Sequence, residues 1–200
     1  MPKVGMQPIR RKQLIDAAIQ SIHEFGLANA TVARIAKKAG VSPGIVHHYF
    51  EDKNDLLFST MRALLVDLRI DAVTRLGTAR TPTERVYAII DASFSETQFS
   101  PEVITAWLAL YGSARRSDRL SRIVRIYARR LHANLLHDLR KLLPADAAVR
   151  AAEGTAALID GLYLRLALGS ARPDPDHHRA LTRDYVDTHL AFHSADPSGR

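Results

Sequence analysis

Apolar residues recur at helical spacing along nearly the whole chain, and this pattern restricts the possible fold more than any other feature. In the segment that follows Pro8, one stripe collects the apolar residues Leu14, Ile15, Ala18, Ile22 and Phe25. Alternating β-branched runs and Asn-Gly or Asp-Gly hairpin turns are both absent. The sequence therefore predicts an all-α protein.

Glycine and proline divide this helical pattern into short and long segments. Three short helices separated by Gly26 and Gly40 come first, and a long helix follows from about 54 to 76. After a break at 77–83, amphipathic helices are predicted at 84–98, 102–113, 118–142, 147–170 and 175–193, with prolines at their joints. We predict an N-terminal domain over 1–53 and a larger helical domain over 54–200.

The composition excludes several classes of protein. The N-terminus has no apolar leader, and the longest apolar stretch, 156–168, is too short for a membrane span and carries Asp160 and Arg165. The absence of cysteine excludes disulfides, thiolate catalysis and cysteine-ligated zinc. We expect a cytoplasmic protein.

Positive charge is concentrated at the N-terminal end. The whole chain has a net charge of +7, and residues 1–50 hold seven Lys or Arg against two acidic residues. Residues 51–200 hold 21 basic and 19 acidic residues. This asymmetry indicates a polyanionic partner for the N-terminal domain.

Residues 31–50 have the pattern of a helix-turn-helix. Thr31 is placed to cap a short helix that Gly40 ends, and Ser42 with Pro43 is typical of the start of a second. Two helices joined by a short glycine-containing turn form the unit whose second helix enters the DNA major groove.

The second helix has two different faces at 100° per residue. Gly44, His47 and His48 lie within about 80° of one another. The opposite side carries Ile45, Val46, Tyr49 and Phe50, and we expect Phe50 to be core. Gly44 would allow close approach to DNA, and the imidazoles can donate or accept hydrogen bonds at base edges or phosphates.

Phosphate contacts are predicted around this helix. Thr31 and Ser42 stand at helix N-termini, which attract anions. Side chains that can add charge or a hydroxyl donor are Lys37, Lys38, Tyr49 and Lys53. Basic residues that could reach phosphates from the start of the first helix are Lys3, Arg10, Arg11 and Lys12.

Other interpretations of the paired histidines have less support. Adjacent histidines on a helix point about 100° apart, so one metal ion cannot easily use both. No nucleophile, metal-ligand or phosphate-loop pattern is legible, which disfavours an enzyme. A helical interaction protein would leave the charge of residues 1–50 unexplained.

The string TVARIAKKAGVSPGIVHHYFEDKNDLL resembles the N-terminal signature of TetR-type transcriptional regulators, and the resemblance covers residues 8–68. It implies an operator-binding helix-turn-helix domain, a C-terminal ligand-sensing domain and a homodimer formed mostly by the last two helices. The positions that match the DNA contacts of the family are Thr31, Ser42, Pro43, Gly44, His47, His48, Tyr49 and Lys53. Many members have Tyr or Ser where this chain has His47 and His48, so their base preference does not transfer.

The opening MPKVGMQPIRR and the segment LIDGLYLRLAL at 158–168 are similar to family members that respond to choline and control glycine betaine synthesis. The resemblance implies a choline-released repressor of those genes. A quaternary ammonium needs aromatic faces, to which a carboxylate can add, and the candidates are Asp91, Phe94, Trp107, Tyr111, Asp160 and Tyr163. A regulator of another cationic or amphipathic compound, and aromatic residues that only fill the core, remain alternatives.

The segment 147–170 is apolar nearly all round, which favours a helix packed both on its own domain and on a second subunit. Such a homodimer would match a palindromic operator with half-sites about 34 Å apart or a multiple of that distance. An acidic residue such as Asp160 would be costly in such a helix unless paired. A purely intramolecular core helix is the alternative.

Overall fold

The computed structural model describes residues 6–169 and 172–194. These residues form helices and no strand, in agreement with the predicted all-α class. The helices, in chain order, are α1 (Met6–Asn29), α2 (Val32–Lys38), α3 (Pro43–Tyr49), α4 (Lys53–Leu76), α5 (Pro82–Ser93), α6 (Pro101–Ala114), α7 (Asp118–Leu139), α8 (Ala145–Leu168) and α9 (Pro175–Ser194). None of these described helices is long and apolar enough to cross a membrane.

The described residues cluster into two compact units. The first comprises 6–65 with 101–123, and the second comprises 66–100 with 124–169 and 172–194. Helix α6 therefore belongs to the same unit as the three N-terminal helices, and it packs against α1. The domain division at residue 53 stays a prediction.

The apolar stripe of α1 forms the core of the N-terminal helices. Helix α1 is interrupted at Gly26, which has a left-handed φ of 74°, so the helix breaks at the predicted glycine. One further helical turn follows the break and completes α1. Phe50 is 2% exposed and packs in this core, which confirms its predicted burial. The other buried members of the core are Leu14, Ile15, Ala17, Ala18, Ile35, Ala36, Ala39, Val46 and Leu56.

One boundary predicted for the larger helices was wrong. Helix α5 ends at Ser93 rather than near residue 98, because Phe94 leaves the helical conformation (φ −111°, ψ 30°) and the chain turns through Ser95. One side of α8, which includes Asp160, Leu164 and Leu168, is exposed in the single chain. The packing of this side of α8 on a second subunit stays a prediction.

Candidate nucleic-acid interface

The turn between α2 and α3 is shaped by Gly40. Its φ is 66°, and the Val41 amide donates to the Ala36 carbonyl at 3.0 Å. A left-handed glycine with this bond closes the end of α2 and reverses the chain at once. The turn therefore sets the direction in which α3 leaves α2.

The predicted caps differ in how they bond. The Arg34 amide donates to the Thr31 hydroxyl at 3.3 Å, so Thr31 caps α2 through its side chain. Ser42 stands at the cap position of α3 with Pro43 as the first helical residue, but its hydroxyl makes no cap bond. Both residues are exposed.

Helix α3 buries one side and exposes the other. Val46 is 1% exposed, whereas Gly44, His47 and His48 are exposed together. Ile45 was expected on the packing side, but 38% of it is exposed because α3 contacts the core mainly through Val46. The exposed face therefore begins with a small residue and continues with two imidazoles, which can approach and hydrogen-bond base edges.

The cations around α3 fall into two groups. Lys37 is exposed on α2. Lys53 instead donates from Nζ to the Leu27 and Ala28 carbonyls at 2.8 and 3.2 Å, and thus joins the start of α4 to the end of α1. Lys38 pairs with Glu24 at 2.5 Å. These contacts reduce the number of free charges near α3, and Lys3 lies outside the described residues.

Arg11 is also engaged inside the protein. Its guanidinium donates to the Tyr49 carbonyl at 3.0 Å and to the Ser59 hydroxyl at 2.7 Å, and it lies over the Phe50 ring. These partners are 38 to 48 residues away in the chain. No pattern in the sequence could have indicated this contact, because an exposed arginine on a basic helix is typical of a DNA-binding domain.

Two of the predicted ligand residues lie in a closed aromatic cluster of the second unit. Phe94 is 0% exposed, and its ring contacts Phe99, Tyr163 and His178 at centroid distances of 5.1 to 6.1 Å. The Tyr163 hydroxyl donates to the Ser93 and Gln98 carbonyls. Burial raises the pKa of the Tyr163 hydroxyl well above its usual value, so it remains a donor.

The predicted acidic ligand residues are placed differently from each other. Asp91 pairs with Arg183 at 2.5 Å, and the Arg183 guanidinium lies over the Tyr87 ring at 4.8 Å. Asp160 lies on the exposed side of α8. Sequence reasoning missed Arg183 and His178, because neither residue type marks a cation-binding pocket.

Trp107 and Tyr111 form a separate aromatic pair on α6. Their ring centroids are 5.4 Å apart and the ring planes meet at 52°, so the two side chains share one helix face as their spacing indicates. They belong to the first compact unit, whereas the other four predicted ligand residues belong to the second.

Two known protein families match different parts of the chain. Residues 14–60 match the family described as "Bacterial regulatory proteins, tetR family", and residues 82–191 match "BetI-type transcriptional repressor, C-terminal". The chain is 54% identical over 190 residues to the "HTH-type transcriptional regulator BetI" of Rhizobium meliloti (strain 1021), covering 95% of this chain and 94% of that protein. The regulator of the same name from Agrobacterium fabrum (strain C58 / ATCC 33970) is 50% identical, with 95% and 92% covered.

Solved structures show the same fold. A transcriptional regulator from Pseudomonas aeruginosa PAO1 superposes with a TM-score of 0.77 at 27% identity, covering 92% of this chain and 91% of that one. A regulator from Saccharomonospora viridis, solved in complex with choline, has a TM-score of 0.77 at 20% identity, with 88% and 95% covered.

The fold and the exposed recognition helix define a DNA-binding regulator with a helix-turn-helix domain. The chain belongs to the TetR family of bacterial transcriptional regulators, with a C-terminal domain of the BetI type. Its relatives are regulators and not enzymes.

Proposed function

We propose that this chain represses the genes that make glycine betaine from choline, and that choline releases it from its operator. Two findings support this choice of genes and effector. The C-terminal match is to a BetI-type repressor, and a regulator of the same fold has been solved with choline. As a bacterial gene regulator, it would act in the cytoplasm.

The exposed face of α3 carries the DNA-binding part of the proposal. Gly44 allows the helix backbone to approach the floor of the major groove, and His47 and His48 point outward beside it. Each imidazole can donate to or accept from a base edge. Val46 and Phe50 hold the opposite side in the core, so the face is presented on a fixed support.

Phosphate contacts complete this interface. We assign them to Thr31, Ser42, Lys37, Tyr49 and Lys53, and Pro43 is a proposed DNA contact without a hydrogen-bond donor. The ammonium of Lys53 has three donors, and the Leu27 and Ala28 carbonyls occupy two of them. The third donor can reach a phosphate while the other two hold the start of α4 in place. Lys37 is exposed and serves as a point charge.

A homodimer through α8 and α9 would place two recognition helices on one operator. Leu168 is 72% exposed and Phe192 is 70% exposed in the single chain, and Leu164 and Leu181 are also exposed. Large apolar side chains gathered on two consecutive helices favour burial against a second copy. The two-fold axis of that dimer matches a palindromic operator with half-sites about 34 Å apart or a multiple of that distance.

The effector site is proposed from the chemistry of choline. Its quaternary ammonium cannot donate a hydrogen bond and is attracted to aromatic faces. Trp107 and Tyr111 provide two neighbouring rings. Asp91, Phe94, Asp160 and Tyr163, which belong to the second unit, are proposed separately as ligand residues within that unit.

Contacts within the second unit suggest how binding changes the fold. The Phe94 and Tyr163 rings already contact each other, so a cation that binds between them would separate them. Phe94 follows α5 and Tyr163 lies on α8, and their separation would shift one helix against the other. A hundredfold loss of operator affinity requires a difference of only about 2.7 kcal/mol in choline binding between the two arrangements.

Equilibrium binding to operator DNA tests this proposal. Fluorescence anisotropy of a duplex from the region upstream of the chain's own gene is measured with choline, betaine aldehyde and glycine betaine. We expect choline to weaken binding, and Trp107→Ala to lose this response while Trp107→Phe retains part of it. Unchanged binding at millimolar choline would contradict the choline assignment, and a response to another cationic compound alone would favour the alternative effector.

A further inference from the structure

Arg11 connects three elements of the DNA-binding unit through one side chain. It projects from α1, donates to the Tyr49 carbonyl at the end of α3, and donates to the Ser59 hydroxyl on α4. Its guanidinium also lies 4.5 Å from the centroid of the Phe50 ring. The planar fork of an arginine can hold two acceptors at fixed angles.

The apolar contacts of α3 lie on one side of a short helix. It has seven residues, and Val46 is its one fully buried side chain. Tyr49 packs in part on the same core, and Phe50 is buried there directly after the helix. Ser42 makes no side-chain cap bond at the start of α3. The bond from Arg11 to Tyr49 adds a directional polar contact to this apolar support, at the opposite end from the Gly40 turn.

The electrostatics of this bond suit a helix end. The last carbonyls of a helix carry partial negative charge and favour a cation. Tyr49 is the last residue of α3, so its carbonyl is one of these free acceptors. The Arg11 side chain is nevertheless exposed in part, so its contacts act on the direction of α3 more than on the stability of the fold.

We propose that Arg11 is a positioning residue for operator recognition, which sets the angle of α3 relative to α1 and α4 so that His47 and His48 meet the bases in register. The inference rests on the proposed function, because it takes α3 as the helix that enters the major groove. Because Arg11 also bonds Ser59 on α4, a shift of α4 would be transmitted through the Arg11 side chain to the end of α3.

A direct phosphate contact by Arg11 predicts a different result. Such a contact depends on charge, adds equally to binding of any sequence, and contributes about 0.9 to the slope of log K against log salt. A positioning role depends on the two-pronged geometry and affects the preference for the operator. Lysine separates the two roles, because it keeps the charge and lacks the planar fork.

The test compares Arg11→Lys and Arg11→Ala in the full-length protein. Affinity is measured for the upstream duplex and for a scrambled duplex of the same composition, over a range of salt concentrations. We expect both variants to lose at least about tenfold in the ratio of the two affinities, the scale set by one good base contact, with the salt slope of Arg11→Lys unchanged. Arg62→Ala, which removes an exposed charge elsewhere on α4, is the matched control and keeps the ratio of the wild type.

Thermal unfolding separates misfolding from misplacement of α3. Ser59→Ala removes one acceptor and leaves Arg11 in place, so we expect a smaller loss of preference in a folded protein. The inference would be overturned if Arg11→Lys kept the full preference for the operator duplex while Arg11→Ala lost affinity equally for both duplexes and had a smaller salt slope. The proposed function would remain intact in that case. A wild-type protein with no preference for the upstream duplex would overturn both.

Discussion

Helix α3 and the aromatic cluster around Phe94 both contain several ring side chains, but the histidine rings of α3 are exposed and the phenylalanine rings of the cluster are buried. On α3, His47 and His48 are exposed and face solvent beside Gly44. In the cluster, Phe94 and Phe99 are at most 2% exposed, and the Tyr163 hydroxyl is bonded to backbone carbonyls. The exposed imidazoles of α3 can therefore contact a partner, whereas the buried rings in mutual contact serve the core whether or not they also meet a ligand.

Phe94→Ala should have the largest effect on stability. Removing a fully buried ring that packs on three others should lower the free energy of unfolding by about 3–5 kcal/mol. Urea denaturation followed by circular dichroism measures this loss. If Phe94→Ala kept the stability of the wild type but no longer responded to choline, the cluster would be a preformed choline pocket and not part of the core.

His47→Ala and His48→Ala should act on recognition without affecting stability. Each histidine that contacts a base should contribute about 1–3 kcal/mol of discrimination between operator and scrambled DNA. The free energy of unfolding should stay at the wild-type value, since both side chains are exposed. If both single variants keep full discrimination, the exposed face of α3 does not read the sequence.

Lys37→Ala should weaken binding to all DNA about equally. Lys37 is exposed on α2 and would neutralise one phosphate, so its loss should lower the slope of log K against log salt by about 0.9. The measurement is a salt titration on operator and scrambled duplexes. If Lys37→Ala loses affinity for the operator duplex alone, Lys37 contacts a base rather than a phosphate.

Tyr87→Phe should change the response of the second unit to alkaline pH. Burial, followed by the contact with Asp187, raises the pKa of Tyr87 from 10.0 to about 12. The folded protein therefore keeps this proton between pH 10 and pH 12 while the unfolded chain releases it, and stability falls as pH rises through that range. We expect a shallower fall in Tyr87→Phe, measured by urea denaturation at several pH values. If the free energy of unfolding falls equally in both proteins, the Tyr87 proton does not contribute to the pH dependence.

Local patterns made the helix-turn-helix predictable from the sequence. Thr31, Gly40 and Pro43 each act within a few residues of their own position, and the burial of Phe50 follows from helical spacing. Contacts between distant segments were not predictable. The bond from Arg11 to Tyr49 spans 38 residues, and the pair of Asp91 with Arg183 joins α5 to α9. No spacing rule relates such positions, so Arg11 and Lys53 appeared only as free charges.

The proposed ligand residues had the weakest signal in the sequence. An aromatic residue at helical spacing has the same pattern in a core as in a pocket, and Phe94 was placed within a helix that ends one residue earlier. Asp160 lies on the side of α8 that is exposed in the single chain, so its surroundings depend on whether a second subunit covers that side. Burial depends on how helices pack, which helical periodicity alone does not determine.

A footprint of DNA upstream of the chain's own gene, with and without choline, tests the central claim most directly. We expect one protected palindrome, with half-sites about 34 Å apart or a multiple of that distance, and loss of the protection at millimolar choline. Absence of any protected site, or protection that choline leaves unchanged, would contradict it.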